Sequence, residues 1–199
     1  MFPDFLENPS DVAAPLLLGC TLTRTITLNG EKHKLVARIV ETEAYDQDDP
    51  ASHAFGGPSE RNAAMFGPAG HLYVYVSYGM HHCCNVVCGP EGFGSGCLVR
   101  AVEPLEGVEV MRELREAGRA YKHPLKLRDL TNGPGKVCAA LSINKELYGH
   151  DLTVEPLVLG FAPLLPEETI GSSPRVGISK NIDAPKRFFI EGNAFVSRA

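Results

Sequence analysis

The 199-residue sequence contains no tryptophan, and phenylalanine and tyrosine together make up only 8% of it. It also lacks a long hydrophobic run, because the longest one, residues 12–18, is far shorter than the roughly 18 apolar residues that span a bilayer. The N-terminus is acidic and lacks the basic flank and apolar segment of a signal peptide. We therefore expect a soluble, cytoplasmic protein that does not enter membranes.

The six cysteines lack the regular spacing of a disulfide framework, since three of them fall within six residues. Without an export signal, reduced thiols are the better interpretation. The run His81-His82-Cys83-Cys84 suggests zinc, but adjacent ligands on a strand point to opposite faces, and neither a second CxxC nor an HxxxH motif is present. The sequence therefore predicts no metal site.

Excess positive charge is also absent, because the formal net charge is −5. Basic residues are nevertheless concentrated between 110 and 136, where seven bases stand against three acids, a local charge of +4. Such a stretch can form a basic face for nucleic acid even in an acidic protein, and an ordinary solvated helix surface explains it equally well. Charge alone leaves the partner open.

Common cofactor motifs fail as well. The glycines at 92, 94 and 96 do not complete GxGxxG and precede no helix, and Gly135-Lys136 is followed by valine instead of the Ser or Thr of a P-loop. The signature of the zinc nucleobase deaminases is missing too. We expect no cofactor.

What is present is the composition of a globular protein, with 44% hydrophobic and 22% charged residues. At roughly 150 residues per domain, the length predicts one domain over residues 1–199. The turn signal Asn29-Gly30 between two β-rich runs predicts a hairpin whose second strand continues through Glu43 to Tyr45. Because most strands form antiparallel hairpins, with few βαβ crossovers, the pattern predicts an α+β fold. We expect helices over 10–18, 104–117 (opened by Pro104) and 136–141, and strands over 20–28, 33–40, 71–77, 83–88, 97–102 and near 156–160, 174–178 and 187–191.

The segment RIVETEAY, residues 38–45, contains two carboxylates at strand spacing. A strand has a period of two, so Glu41, Glu43 and Tyr45 share one face, together with Ile39. Carboxylates beside apolar surface are suited to acid–base chemistry. A solvated strand end with a salt bridge explains the pattern equally well.

The segment LYVYVSYGM, residues 72–80, predicts an aromatic wall and an exposed tip. Tyr73 and Tyr75 share a strand face, although core packing explains them nearly as well. Tyr78 and Met80 flank a glycine at the expected hairpin turn. Large apolar groups at a tip contribute little to a core and can wedge between stacked bases.

With these motifs the sequence resembles the alkyladenine (3-methyladenine) DNA glycosylase family. The resemblance covers residues 16–197 and includes PLLLG, RIVETEAY, SHxxGG, RN…MF, LYVYxxYGM, LVRAVEPLEG, NGPGK, PRVGI and RFF. It implies a single α+β domain on a curved, mostly antiparallel sheet with surrounding helices. It also implies a bacterial enzyme, acting as a monomer on the nucleoid, that excises alkylated or deaminated purines from double-stranded DNA without a cofactor.

The resemblance assigns the proposed chemistry to three residues. Glu43 matches the general base that activates water, and Arg100 and the backbone carbonyl of Val176 match groups that hold this water. A structural ion pair is the competing role for Arg100, and Glu41 is expected to support the site. Since no lysine replaces Glu43, we expect no Schiff base and no lyase step.

The resemblance also assigns the contacts to DNA. Tyr45, His53 and Tyr75 match the residues that sandwich the flipped base, although His53 can instead order its loop. Asn85 matches a floor residue that clashes with the 2-amino group of guanine. Tyr78 matches the side chain that fills the gap in the stack, with Met80 beside it; Gly133 and Lys136 are candidates for a phosphate contact, and a plain helix start is the equal alternative.

One segment departs from a typical DNA-binding surface. The loop from Asp46 to Pro50 contains three aspartates, which we expect to repel the phosphate backbone. Two other functions stay open at this point. A hydrolase of free nucleosides would use the same carboxylate but needs no wedge, and a non-catalytic lesion-binding module would need no base.

Overall fold

The computed structural model describes residues 4–117 and 121–197. Within them, eight strands form one curved antiparallel sheet, and three short helices pack against it. The α+β prediction is therefore confirmed. The strands are β1 (Thr21–Leu28), β2 (Glu31–Asp46), β3 (Leu72–Ser77), β4 (His81–Val87), β5 (Ser95–Glu106), β6 (Leu157–Gly160), β7 (Ile170–Ser173) and β8 (Arg187–Ile190), and the helices are α1 (Ser10–Leu16), α2 (Val108–Glu116) and α3 (Pro134–Ala140).

The long strand β2 organises the sheet. The main order is β3-β4-β5-β2-β1-β6, while β8 pairs with the second half of β2 and β7 pairs with β8. The predicted hairpin joins β1 to β2: Asn29 and Gly30 have φ of 53° and 85°, as a type I′ turn requires, and Leu28 pairs with Glu31. The prediction that this strand continues through Glu43 to Tyr45 is confirmed.

The core lies between the sheet and the helices, and a β-bulge adjusts how β2 meets it. Val40 and Ala44 belong to the core, and Thr42 Oγ1 between them donates to Ala14 O of α1 at 2.8 Å. The register slips between Ile39 and Glu41, and Ile39 also lies in the core. The expectation that Ile39 shares the face of the carboxylates is therefore wrong, because Ile39 and the adjacent Val40 both lie in the core, so the alternation breaks at this irregular pairing.

Two predicted elements are shifted. Pro104 does not open a helix: it lies in β5 opposite Ala37, and α2 begins at Val108 after Gly107. Strand β4 pairs with β5 only over residues 96–98, so the missing N–H of Pro104 leaves no ladder bond unmade on that side. The strand expected at 174–178 is a loop, and the strand lies at Ile170–Ser173 instead.

All six cysteines are free and buried. The sulfurs of Cys88 and Cys97 lie 3.6 Å apart and share a hydrogen bond. In the part of the chain that the structure describes, no helix has the length and apolar character needed to cross a bilayer.

We expect Gly107→Ala to lower the free energy of unfolding by about 2–4 kcal/mol, since it combines backbone strain with a clash. Gly107 has φ of 77°, and an added Cβ would lie 2.5 Å from Leu35 Cδ2 and 2.7 Å from Lys34 O. Gly30 has φ of 85° with nothing within 4 Å, so Gly30→Ala should cost only about 1 kcal/mol. Urea denaturation followed by circular dichroism measures both losses, and equal losses would contradict the clash.

Candidate active site

One row of paired residues crosses the sheet and forms the floor of a cavity. Glu43 of β2 pairs with Leu98 of β5, which pairs with Asn85 of β4, which pairs with Tyr73 of β3. Directly paired residues point to the same face of a sheet, so these four side chains emerge together. All four line the cavity.

The cavity has a volume of about 570 Å³, which is typical of a site for a small ligand. Residues 50–53 and 176–180 form two of its borders. The structure brings together eight of the eleven residues that the sequence singled out; they are Glu43, Tyr45, His53, Tyr75, Tyr78, Asn85, Arg100 and Val176. Met80, Gly133 and Lys136 do not line it.

Glu43 is completely buried, and its carboxylate is held by two hydrogen bonds and an ion pair. The N–H of Val176 donates to Oε1 at 2.8 Å, and the hydroxyl of Tyr45 donates to Oε2 at 2.8 Å. Arg100 Nη1 lies 3.3 Å from Oε1. A carboxylate has about four acceptor positions, so one position on Oε2 is left for a further donor.

Arg100 is shared between the two carboxylates of β2. Its Nε donates to Glu41 Oε1 at 3.0 Å, and its Nη2 donates to Ser197 Oγ at 3.2 Å. Burial alone would lower the pKa of Arg100, but the charges of Glu43 and Glu41 raise it. The structural ion pair considered for Arg100 is thus present, and its Nη1 still faces Glu43.

Glu41 lies behind the cavity and does not line it. Arg187 Nε and Ser197 Oγ donate to its Oε1 at 2.6 and 2.8 Å, and the N–H of Ser197 donates to its Oε2 at 2.6 Å. Arg187 also donates to the carbonyl of Ser197 at 3.0 Å. Glu41 therefore joins three distant parts of the chain and fixes the orientation of Arg100.

Aromatic rings form the sides of the cavity. Tyr73 and Tyr75 are stacked, with centroids 5.6 Å apart and planes at 24°, as their shared strand face predicts. The ring of His53 meets Tyr75 edge-on at 4.5 Å, and its Nδ1 lies 2.9 Å from the hydroxyl of Tyr73. Burial, with the charge of Arg61, lowers the pKa of His53. Burial also raises the pKa of Tyr73 to about 12.

The floor contains Asn85 and Cys83, two residues apart on β4. Asn85 is buried, and its Nδ2 lies 3.4 Å from the carbonyl of Tyr73. Burial and the neighbouring Cys84 raise the pKa of the Cys83 thiol to about 11, although a hydrogen bond with Tyr75 opposes the shift. At neutral pH the floor therefore presents an amide and an uncharged thiol.

The predicted hairpin tip is confirmed. Tyr78 and Gly79 have φ of 49° and 71°, so the turn projects the flanking side chains away from the sheet. Tyr78 is 85% exposed and Met80 72% exposed. Tyr78 stands at the edge of the cavity, whereas Met80 lies outside it.

The start of α3 is a packed turn. Lys136 is half-buried and donates from Nζ to Asn132 Oδ1 at 2.7 Å. Burial and the charge of Arg115 lower the pKa of Lys136. Gly133 precedes the helix in an extended conformation.

The basic stretch 110–136 does not form one surface. Arg115 is buried and donates to the carbonyl of Leu130 at 3.4 Å, and Arg119 lies outside the described residues. Lys122, Lys126 and Arg128 are exposed. Part of the local positive charge thus stabilises the fold instead of facing solvent.

The acidic loop, residues 46–50, exposes less negative charge than its sequence suggests. Asp46 is buried and accepts from Ser95 Oγ at 2.6 Å, and Asp49 is buried against Arg175 at 2.6 Å. Only Asp48 of the three aspartates is exposed. The expectation that this loop repels phosphate is therefore wrong for two of its three charges.

Sequence reasoning missed the residues that support the site from behind. Arg175 and Arg187 lie within PRVGI and RFF, and the sequence gives neither arginine a role, nor Ser197. The signal that could have led to the arginines is that a buried carboxylate needs a cation: Arg175 pairs with Asp49, and Arg187 pairs with Glu41. Among residues 4–117 and 121–197, no group of three or more His, Cys, Asp or Glu side chains could hold a metal ion.

Comparison with known proteins identifies the family of this chain. The family model described as "Methylpurine-DNA glycosylase (MPG)" matches residues 4–194. The chain therefore belongs to the methylpurine-DNA glycosylase family, a family of DNA-repair glycosylases, and the resemblance seen in the sequence is confirmed.

Individual relatives are similar in sequence to this chain over most of their length. A protein of Nitrosospira multiformis is 46% identical over 195 residues, which cover 98% of this chain and 92% of that protein. One of Agrobacterium fabrum is 51% identical over 162 residues (80% and 77%), and one of Chlorobaculum parvum is 49% identical over 200 residues (98% and 88%). Each of the three bears the name "Putative 3-methyladenine DNA glycosylase".

We expect Glu41→Gln to lower the free energy of unfolding by about 3–5 kcal/mol, because it removes the charged acceptor of buried Arg187 and one of the two carboxylates that compensate buried Arg100. The matched control is Glu106→Gln, since Glu106 pairs with Lys34 at 3.0 Å on the surface and should cost less than about 1 kcal/mol. Urea titrations of both variants give the difference. A loss for Glu41→Gln as small as that of the control would show that the cluster does not hold the fold.

Proposed function

We propose that the protein is a monofunctional DNA glycosylase that excises alkylated or deaminated purines, such as 3-methyladenine, hypoxanthine and ethenoadenine, and so initiates base excision repair. The observation that carries this proposal is a fully buried carboxylate, Glu43, in an aromatic-lined cavity whose edge bears an exposed tyrosine, Tyr78. The whole chain acts as one domain and as a monomer, on double-stranded DNA in the cytoplasm.

A base inside the duplex cannot reach Glu43, so it must first leave the stack at a cost of a few kcal/mol. Tyr78 supports this step, because it projects into solvent beside the cavity and can occupy the gap that the base leaves. Met80 extends the same tip.

The rings of Tyr45, His53 and Tyr75 would then hold the base. Stacking on an aromatic ring returns roughly 1–3 kcal/mol per base and accepts different purines. A cationic purine gains more from the electron-rich faces. Asn85 on the floor would meet the purine edge and exclude the 2-amino group of normal guanine.

Glu43 would accept the proton of the attacking water at the free position of Oε2. The transition state of N-glycosidic cleavage resembles an oxocarbenium ion, which a nearby carboxylate stabilises. Arg100 and Val176 fix the carboxylate, and the contact seen here is through the N–H of Val176. The carbonyl of Val176 would hold the water from the other side.

The reaction would end at the abasic site. A lyase step begins with an amine that attacks the sugar. The residue at the position of the general base is Glu43, a carboxylate, and not a lysine. Gly133 and Lys136 would contact the DNA backbone next to the β3–β4 hairpin. The exposed basic side chains of Lys122, Lys126 and Arg128 would make further contacts with it.

The decisive test compares wild type with Glu43→Gln on a duplex that carries one hypoxanthine or ethenoadenine. Incubation without metal, followed by alkali, should give strand cleavage with wild type and a loss of at least about 100-fold with Glu43→Gln, because the variant cannot take the proton. Glu106→Gln, on the exposed surface, is the control and should cut like wild type.

The other outcomes identify the rival functions. Binding of the damaged duplex by both proteins without cleavage by either would indicate a lesion-binding module. Hydrolysis of free inosine at a rate that duplex DNA does not exceed would indicate a nucleoside hydrolase. Cleavage before the alkali step would contradict a monofunctional enzyme.

We expect Tyr78→Ala to reduce excision from a duplex at least about tenfold more than excision from a single strand, because only the duplex closes again over the gap. Phe161→Ala serves as the control, since Phe161 is 62% exposed and does not line the cavity. Single-turnover rates on matched duplex and single-stranded substrates measure the effect. Equal losses on both substrates would remove Tyr78 from the role of wedge.

A further inference from the structure

Arg175 and Asp49 form a buried ion pair behind one wall of the cavity. Arg175 Nη1 lies 2.6 Å from Asp49 Oδ2 and donates to the carbonyl of Ala44 at 2.9 Å. The two side chains are 0% and 2% exposed. Neither residue lines the cavity, so the pair is sealed off from a bound base.

The guanidinium of Arg175 covers one face of Tyr45. Its Cζ lies 4.6 Å from the centroid of the ring. Within the described chain, Nε of Arg175 has no hydrogen-bond acceptor, so the negative face of the ring is its electrostatic complement. Because Tyr45 lines the cavity and Arg175 does not, a stacked base would take the opposite face of the same ring.

Asp49 is fixed as the counter-charge. Its Oδ1 accepts from the N–H of Ala51 at 2.9 Å and from Asn181 Nδ2 at 3.1 Å, and Lys186 Nζ lies 3.9 Å from Oδ2. Burial alone would raise the pKa of Asp49, but these hydrogen bonds and Arg175 lower it. Asp49 is therefore ionised at neutral pH and can balance the charge of Arg175.

We propose that the Arg175–Asp49 pair sets how strongly the pocket prefers cationic over neutral purines, an inference that rests on the proposed function. A cation on one face of an aromatic ring draws electron density toward itself and leaves less attraction for a second cation on the other face. Asp49 limits this effect by balancing the charge. The net charge of the pair thus determines the electrostatic character of the stacking face.

Three variants change this charge in steps. Asp49→Asn leaves the guanidinium unbalanced, Arg175→Gln leaves the carboxylate unbalanced, and the double variant has a neutral pair again. The measured quantity is the ratio of single-turnover excision rates for 3-methyladenine, which is cationic in DNA and has no 2-amino group, and for neutral hypoxanthine. We expect the ratio to fall about threefold in Asp49→Asn, to rise about threefold in Arg175→Gln, and to return near the wild-type value in the double variant.

Two controls separate electrostatics from damage to the fold. Arg38→Gln breaks another part-buried ion pair, with Glu168, that does not border the cavity, and it should leave the ratio unchanged. Since the chain has no tryptophan, tyrosine emission can also report binding of the nucleosides 3-methyladenosine and inosine. Their affinity ratio should follow the same order without any catalysis.

A ratio that is flat across the variants would overturn the proposal. So would a shift in the same direction for Asp49→Asn and Arg175→Gln, which would mean that the pair only ties its two loops together. If wild type excises neither base, the proposed function fails, and the order of nucleoside affinities still decides the role of the pair. If Arg175→Gln does not fold, the sign of the shift in the isosteric Asp49→Asn decides it.

Discussion

Two buried carboxylates stand two residues apart on the longest strand, and the structure depends on how their charges are compensated. Placing like charges this close in a dry environment is costly unless each finds a cation and further donors. Arg100 comes from the neighbouring strand and Arg187 from the strand on the other side, and both reach Glu41. Ser197 donates its N–H to the same carboxylate, Glu41, so the last described residue is tied to the centre of the sheet. Fold and site are thus one electrostatic unit, in which Glu41 takes most of the donors and Glu43 is left with an acceptor position toward the cavity.

Local rules predicted the parts of the site that lie on regular strands. The period of two placed Glu41, Glu43 and Tyr45 on one face of β2. It also placed Tyr73 and Tyr75 on one face of β3, and the pairing of the intervening strands brings Glu43 and Tyr73 to the same side of the sheet. The turn residues located both hairpins. The failures occurred where distant contacts override local preference. The irregular pairing before Glu41 depends on the partner strand. Pro104 is tolerated in β5 because no described strand pairs with it on the side away from β2. Asp46 and Asp49 look like solvent-exposed charges until Ser95 and Arg175, far along the chain, come to meet them.

The cavity has a rigid side and a side made of loops. Strands β2 to β5 supply the floor, the carboxylate and the stacked tyrosines, and their ladder fixes spacing to within the tolerance of a hydrogen bond. Residues 50–53 and 176–180 supply the borders, and irregular backbone there is possible because side chains satisfy it: Asp49 accepts from Ala51, and Glu43 accepts from Val176. The loop around Val176 is therefore positioned by the carboxylate, so that a change in one is transmitted to the other.

The hairpin tip has a consequence for how damage would be found. Its turn holds Tyr78 outward in the free protein, so the apolar probe is already extended before any DNA arrives. Under the proposed function, an encounter with DNA would need no rearrangement of this hairpin, and its outcome would depend on how readily each base pair opens beside Tyr78. Weakly paired or poorly stacked bases would leave the stack first, so the duplex itself would perform the first round of discrimination and the aromatic cavity the second. Such a preformed tip would favour brief contact with many intact base pairs and base flipping at only a few of them.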